Sequence, residues 1–590
     1  MFDMLKHLRQ KEWIMIGIIL ILVVFQVWLD LMLPEYMGKI TTTINSGHGT
    51  VDAVMNDGMY MILCALGSLA GAIAVGFLAA KVGSSFSQRL RSMQFNKVDS
   101  FSMAEINKFS TPSLITRSTN DVTQVQMFMI IALQMIIKAP IVAVWAIYKI
   151  YNIHSDGLEW MLATGVAVVV LLIMFAILIV VVLPKFRKMQ VLTDNVNRVA
   201  RENLMGLPVV RAYNAEPYQT DKFEKANKEL TDVHMFTTRA MAVMMPVIFL
   251  IMNGLILAIY WIGAVLINNA APSTEEQSIL FSNMIVFTSY AMQTIFAFMM
   301  ITMMFIMLPR AQVAMRRINE VIDTEPTVTD GNVTETDTGR SGEVEFRNVS
   351  FKYPGAADYI LKDINFTVKR GETIAFIGST GSGKSTLINL VPRFYDATEG
   401  DVFIDGVNVR DFKLESLYDK IGYIPQKAAL FSGTVSSNVA FGRTENEMTE
   451  YDVKNAVRIA QGTDFVEKMD NMYSADISRG GANISGGQKQ RLAIARAVYK
   501  RPEIYIFDDS FSALDYKTDR KLRTVLKNEL QGATSMIVAQ RIGTIMDADK
   551  IVVLDEGRVV GIGGHKELLN TCSVYREIAM SQLSEKELDL

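Results

Sequence analysis

Apolar residues are spread unevenly along this chain. Six stretches within residues 1–322 are apolar enough to cross a hydrocarbon core, which takes about 20 residues of helix. They lie at roughly 13–33, 59–80, 127–150, 158–183, 240–267 and 279–308. From residue 344 the pattern changes to short apolar runs, such as Thr373-Ile374-Ala375-Phe376-Ile377, set among charges and glycines. Segment 323–343 (DTEPTVTDGNVTETDTGRSGE) is polar, Thr-rich and aperiodic, and reads as a linker. The pattern predicts a six-helix membrane domain over 1–322, joined by this linker to an α/β domain over 344–590.

The polar segments between the spans predict their orientation. Residues 81–126 and 184–239 are long and carry Lys81, Arg89, Arg91, Lys97 and Arg117, then Lys185, Arg187, Lys188, Arg198 and Arg201. The other loops are short, and two lean acidic, with Asp52 and Asp57 in one and Glu275 and Glu276 in the other. Positive residues stay inside, so both termini and both long loops are expected in the cytoplasm of a multi-pass protein of the cell membrane. The stretch 187–207 keeps helical spacing among its charges, which predicts helices two to five running on past the membrane. Pro217, and Pro112 in Thr111-Pro112-Ser113-Leu114, mark turns or short helix starts at the tips, where the loops could dock on a cytosolic domain. The run 13–33 is too long for a secretory signal core and lacks a small-residue cleavage site, so it is read as the first span. Residues 1–12, with Phe2, Leu5 and Leu8 among bases, suit the membrane surface.

Composition narrows the function. Half the residues are hydrophobic and 20% charged, which is apolar for a soluble chain of 590 residues. A net charge of −3 gives no footprint for nucleic acid. Two cysteines, Cys64 and Cys572, and five histidines argue against a disulfide framework or a Cys/His metal centre.

The chemistry sits in the second domain. After the apolar strand comes Gly378-Ser379-Thr380-Gly381-Ser382-Gly383-Lys384-Ser385-Thr386, then helical Leu387-Ile388-Asn389-Leu390. This is a phosphate-binding loop in its strand–loop–helix setting. Its glycines let amide groups converge on phosphate oxygens, and the helix N-terminus adds a positive dipole end. Lys384 is placed to reach the terminal phosphates and Ser385 to ligate Mg²⁺. Ile504-Tyr505-Ile506-Phe507-Asp508 reads as a buried strand ending in a second Mg²⁺ ligand. ATP and Mg²⁺ are the expected cofactors.

Between these two motifs stands Ile484-Ser485-Gly486-Gly487-Gln488. It resembles the signature loop of ATP-binding-cassette proteins, and with six preceding spans the chain resembles their exporter half-transporters along nearly its whole length. The resemblance implies that Tyr353 stacks on adenine, that Gln426 touches Mg²⁺ and couples to the membrane part, and that Ser512-Ala513-Leu514-Asp515 crosses a dimer interface. It also implies that Ser485, Gly486, Gly487 and Gln488 close over a γ-phosphate bound by a partner chain, so that ATP holds two cassettes together.

Two positions depart from the active family pattern. Asp509 stands where the family places a Glu general base, and Gln540 where it places a His that contacts the γ-phosphate. Asp is one methylene shorter, roughly an ångström of reach, and a loss of about 100-fold in hydrolysis is expected from a misplaced base. Gln donates a hydrogen bond but takes up no proton near neutrality. The paired change resembles one subunit of the heterodimeric bacterial multidrug exporters. It implies a site that binds ATP and hydrolyses it poorly, with the intact signature completing a competent site on a different half-transporter.

The cargo is less legible. Met299, Met300, Met303, Met304 and Met307, with Gln293 and Phe296, fall largely on one face of the sixth span, which suits either adaptable cargo contact or gap filling. Gln26, Asp30, Gln134, Lys138, Asn253 and Gln293 are costly polar residues within spans and candidates for a cavity. Interhelical hydrogen bonding and snorkelling at membrane ends are the alternatives. The expected function is ATP-driven export of amphipathic small molecules. A peptide or lipid exporter, a slow homodimer, and an ATP-gated regulator or channel stay open.

Overall fold

The computed structural model describes residues 6–45, 50–151, 158–269, 274–335, 341–442 and 449–583. The chain divides into two compact units. One runs to Lys97 and resumes over Pro112–Asp323; the other joins Val98–Thr111 to Thr324 and beyond.

In hydrocarbon every backbone polar group must be paired within its own segment, which long helices achieve. The first unit holds α1 (Gln10–Asn45) and α2 (Val51–Asp99), the latter continuing to the unit boundary. Beyond α3 (Met103–Phe109), which belongs to the other unit, come α4 (Thr111–Thr116), a π-helical turn (Arg117–Asp121), α5 (Val122–Met135) and α6 (Lys138–Tyr151). Then follow α7 (Leu158–Met205), α8 (Leu207–Ala212), α9 (Glu216–Asn269) and α10 (Thr274–Ile322). Among the described residues, six helical stretches are long and apolar enough to cross a membrane. A 49-residue helix such as α2 is about 74 Å long at 1.5 Å per residue, over twice the hydrocarbon thickness. α10 also has 49 residues, so the sixth helix is as overlong as the second, which its apolar run did not predict.

The helices bury one stripe and leave the rest apolar. Ile19, Val23, Val27, Val75, Ala79, Phe86, Phe287 and Ile295 form the shared core. Trp160 packs on Phe287 at 5.4 Å and donates to the carbonyl of Ile259. Outside, Ile21, Ile62, Phe77, Leu250 and Trp261 are exposed, as a lipid-facing surface requires. Small residues bring backbones together: a Cβ on Gly38 would stand 2.5 Å from Val286, and Ser282 donates to the Gly38 carbonyl at 2.7 Å.

The start of α1 is held by charge. Glu12, only 2% exposed, accepts from the Arg9 amide at 2.9 Å, from Ser85 Oγ at 2.8 Å and from Arg89. Arg89 also donates to the carbonyl of His7, whose ring meets Asn319. The described part of the N-terminal segment is therefore tied to α2 and α10.

The second unit has two larger sheets and a short pairing of β7 (Gly433–Thr434) with β8 (Asp476–Ile477). β1 (Val344–Phe351) lies antiparallel between β2 (Leu361–Val368) and β4 (Glu399–Ile404), with β5 (Val407–Asn408) beyond β4. The central sheet has the order β12-β11-β3-β10-β9-β6. Here β3 (Thr373–Gly378), β6 (Ile421–Ile424), β9 (Ile504–Asp508), β10 (Thr534–Val538) and β11 (Lys550–Asp555) run parallel, and β12 (Arg558–Gly563) is antiparallel at the edge. All five residues of β9 are buried, as expected for a parallel strand covered on both faces. Lys420 joins the fully buried Asp405 to Glu503 at 2.9 and 3.0 Å. Burial opposes its charge, but hydrogen bonds to both carboxylates outweigh it and hold its pKa above the ordinary lysine value.

Two segments outside the sheets are held by the cassette. Thr324–Glu335 is not a free tether: Val328 is buried, Val333 bridges to Phe412, and Arg393 donates to the carbonyl of Thr329. Its apolar valines are too few for periodicity, yet its backbone finds partners on the cassette. In the first long loop Ser102–Ser110 forms the tip, and Thr111-Pro112 starts the short helix α4 directly after it. Ser102 and Glu105 form a capping box that starts α3. Asn107 donates to the Tyr395 hydroxyl at 2.9 Å, and Glu105 accepts from the amide of Thr327. At the second tip a turn at Tyr213 and Asn214 precedes Glu216-Pro217, where α9 begins.

Arg89→Ala leaves Glu12 buried and without its cation. We expect a loss of about 3–5 kcal/mol, read as a lower apparent Tm in detergent, with Arg89→Lys falling between the two. An unchanged Tm would show that the pair holds nothing.

Candidate functional site

The site forms where parallel strands end. A sharp loop follows β3, and α11 (Lys384–Asn389) then begins. Two glycines are required by space: a Cβ on Gly378 would stand 2.0 Å from the Leu554 carbonyl oxygen, and one on Gly383, at φ +98°, 2.7 Å from the Leu361 side chain. Ser379, Thr380, Gly381 and Ser382 complete the curve. Lys384 Nζ donates to the carbonyls of Gly378 and Ser379 at 2.9 and 2.7 Å and to Ser382 Oγ at 3.3 Å. Burial lowers its pKa, while Asp509 and Asp508 pull the other way.

Ser385 Oγ donates to Asp508 Oδ1 at 2.7 Å, so the two expected Mg²⁺ ligands converge from α11 and β9. Burial raises the Asp508 pKa, and the Ser385 hydrogen bond works against that rise. These hard oxygen donors, with the side-chain oxygen of Gln426, suit Mg²⁺ carried in on nucleotide phosphates. Bound Mg²⁺ supplies charge neutralisation at the β- and γ-phosphates.

Asp509 is 8% exposed and sits at φ +47°, its amide bonded to the Val538 carbonyl at 3.0 Å. One carboxylate oxygen, Oδ2, accepts two amide donors: Gln540 Nε2 at 2.8 Å and Gln426 Nε2 at 3.2 Å. Gln540 lies two residues past β10 and Gln426 two past β6, so three strand ends meet at this one oxygen.

Tyr353 meets Phe351 and Tyr395 edge to face at 5.0 and 5.3 Å, and its hydroxyl bonds Thr386 Oγ1 at 2.9 Å. The expected base platform thus stands against the phosphate loop. Ser485 caps α12 (Gly486–Lys500) in a capping box: its hydroxyl accepts from the Gln488 amide at 3.3 Å, and the Gln488 side chain accepts from the Ser485 amide at 2.9 Å. Ser485 and Gly486 are exposed, while Gly487 lies close to the Ala513 carbonyl. Asp515 caps α13 (Tyr516–Glu529), accepting from the Thr518 amide at 2.9 Å. That backbone bond lowers its pKa. The signature and Asp515 thus serve helix starts within their own chain, roles their spacing also encodes.

Two residues escaped the sequence reading. Tyr423 donates to Asn389 at 3.1 Å, and burial, with Asp508 adding to it, pushes its pKa well above the tyrosine range. Its place three residues before Gln426 was the available signal. Gln582, near the end of α14 (Ser573–Gln582), accepts from the Ile542 amide and donates to the Gln540 carbonyl, both at 2.8 Å. It braces the Gln540 loop, and no local pattern announced it.

Among the cargo candidates, Asp30 and Lys138 pair at 3.0 Å. Asn253 bonds its own helix at the Phe249 carbonyl, and Gln26 is buried. Met299 and Met307 pack against the membrane core; the side chains of Met303 and Met304 lie outside the described residues.

Two family models match the chain: ABC transporter over residues 361–512, and ABC transporter transmembrane region over 16–298. An uncharacterized ABC transporter ATP-binding protein of Mycobacterium tuberculosis is 40% identical over 88% of this chain and 87% of its own length. The uncharacterized ABC transporter ATP-binding protein YfiB of Bacillus subtilis is 34% identical over 97% and 96%. The ATP-dependent lipid A-core flippase of Pseudomonas aeruginosa is 30% identical over 90% and 85%. A bacterial Atm1-family ABC exporter with ATP bound superimposes with a TM-score of 0.78 at 25% identity, over 97% of this chain and 98% of that one. This chain belongs to the ABC transporter family, as an ATP-driven exporter half in which six membrane helices are fused to one cassette.

Proposed function

We propose that this chain exports amphipathic small molecules as one half of a heterodimer, and that the ATP site on its own phosphate loop binds nucleotide but hydrolyses it slowly. The observation that carries this reading is the double amide contact on Asp509 Oδ2. A general base must offer a lone pair to water in line with the γ-phosphate. Here the shorter carboxylate spends one oxygen on Gln426 and Gln540, and neither amide can take the proton onward. The phosphate loop, Ser385 and Asp508 keep what binding requires.

The chain's signature retains Ser485 and its glycines at an exposed helix start, so it can complete a site on a partner that carries Glu and His. ATP would then be held tightly in one site and turned over in the other. The Lys- and Arg-rich long loops support cytoplasmic termini, which sets the cassette beside ATP. Amphipathic cargo fits the polar groups within apolar spans and the likeness to flippases that move lipid A-core.

Purified alone, the chain is expected to hydrolyse ATP weakly. Asp509→Glu with Gln540→His should raise that rate by about 100-fold, and Asp509→Glu alone by less. A wild-type chain that hydrolyses ATP vigorously by itself would overturn the reading.

Adding Ser485→Ala to the restored double variant should remove most of the gain, because each site needs the other chain's signature. A helix-cap loss of about 1 kcal/mol is the accompanying effect, so Tm is measured beside the rate. Full activity with Ser485→Ala would mean that the sites are not composite.

A further inference from the structure

The third crossing is broken near the middle of its apolar stretch. α5 ends at Met135 and α6 starts at Lys138, with a turn at Ile136 and Ile137 between them. Pro140 explains the break: it has no N–H to return to the Ile136 carbonyl, and its ring crowds that carbonyl. Interrupted helices at membrane depth occur where protein or a cavity satisfies the freed groups.

A charged cluster sits at this break. Lys138 Nζ lies 3.0 Å from Asp30 Oδ2 of α1, and Ser68 of α2 donates to Asp30 Oδ1. Lys138 stands at the middle of the 127–150 apolar stretch and Ser68 at the middle of 59–80; Asp30 stands three residues before the end of 13–33, on a helix that runs on to Asn45. The approach is built in by small residues: a Cβ on Gly67 would stand 2.9 Å from Leu29, and one on Gly71 3.5 Å from Gln26. About a quarter of each charged side chain stays open, 24% for Lys138 and 26% for Asp30. Gln26 lies one helical turn before Asp30 on α1, and Gln134 lies in the last turn of α5, just before the break.

We propose that Asp30, Lys138 and Ser68 form a head-group site for a zwitterionic amphiphile. The proposal rests on the amphipathic-cargo reading above and names its chemistry. In a low dielectric, neutrality decides which ligand fits. The pair carries no net charge, and separating it in hydrocarbon is costly unless each ion finds a new partner. A singly charged ligand satisfies one ion and strands the other. A zwitterion satisfies both, its cation at Asp30 and its anion at Lys138, while its tail stays in apolar surroundings. Lys138 has three N–H donors, of which Asp30 takes one, so it can receive an anionic oxygen before the pair opens.

The test is binding to the purified full-length chain in a nonionic detergent, by native mass spectrometry. Four probes of equal chain length are compared: lysophosphatidylethanolamine (zwitterion), lysophosphatidylglycerol (anion), an alkyltrimethylammonium (cation) and a monoacylglycerol (neutral). The zwitterion is expected to bind about tenfold more tightly than the others. Asp30→Asn should shift the preference to the anion and Lys138→Gln to the cation. The exchanged pair, Asp30→Lys with Lys138→Asp, should keep the preference for the zwitterion. A merely structural pair would lower Tm in the single variants without changing which probe binds, and that result overturns the proposal. Equal binding of all four probes would overturn the head-group site and leave the amphipathic reading standing. Binding of none would overturn both.

Discussion

Two adjacent buried carboxylates govern the cassette. Asp508 and Asp509 are 6% and 8% exposed, and a pair of acids removed from water at one strand end survives only if donors surround it. The parallel sheet supplies them, because the C-terminal ends of β3, β6, β9 and β10 open on the same edge. Ser385 comes from the helix after β3, Gln426 follows β6 and Gln540 follows β10, while Lys384 adds positive charge from the phosphate loop. Neighbouring loops belong to this site because it needs donors, and the same donors are what a magnesium nucleotide would rearrange. A departure at Asp509 is therefore never local: shortening the acid changes what Gln426 and Gln540 can hold.

The membrane unit obeys the same rule in a poorer solvent. Glu12 with Arg89, Asp30 with Lys138, and Glu35 with Lys149 each match one acid to one base across different helices. Tyr290 is buried and donates to the Leu31 carbonyl. Such pairs are weak evidence of stability, since apolar residues of equal volume often do as well. Their positions separate their roles. Glu12 and Arg89 are almost closed off at the start of α1, which suits a fastening, whereas Asp30 and Lys138 remain partly open at a helix break.

Legibility followed the range of the interaction that encodes each feature. The six spans and the phosphate loop are written in contiguous residues, and periodicity or spacing exposes them directly. The break at Ile136–Ile137 was equally local, since Pro140 stands four residues after Ile136, but the apolar count across 127–150 masked it. The capping boxes at Ser102–Glu105 and Ser485–Gln488 were also in plain view. The first stands beside a more conspicuous proline, and the second shares its residues with the signature loop. Features made by distant partners were not legible: Gln582 meets the Gln540 loop 42 residues away in sequence, and Asn107 meets Tyr395 across 288. No pattern within a helix announces a partner that only the fold brings near.

That distinction bears on the segments joining the two units. Val98–Thr111 falls between two membrane crossings in sequence, yet it is counted with the cassette through α3. Glu105 shows how this is achieved: it closes its own helix start and also accepts the amide of Thr327, just past the end of α10. One carboxylate thus ties the first long loop to the segment that leaves the last membrane helix, and Asn107 ties the same short helix to Tyr395, which packs against Tyr353. Tyr395 is thereby bonded to a segment continuous, at both ends, with membrane helices.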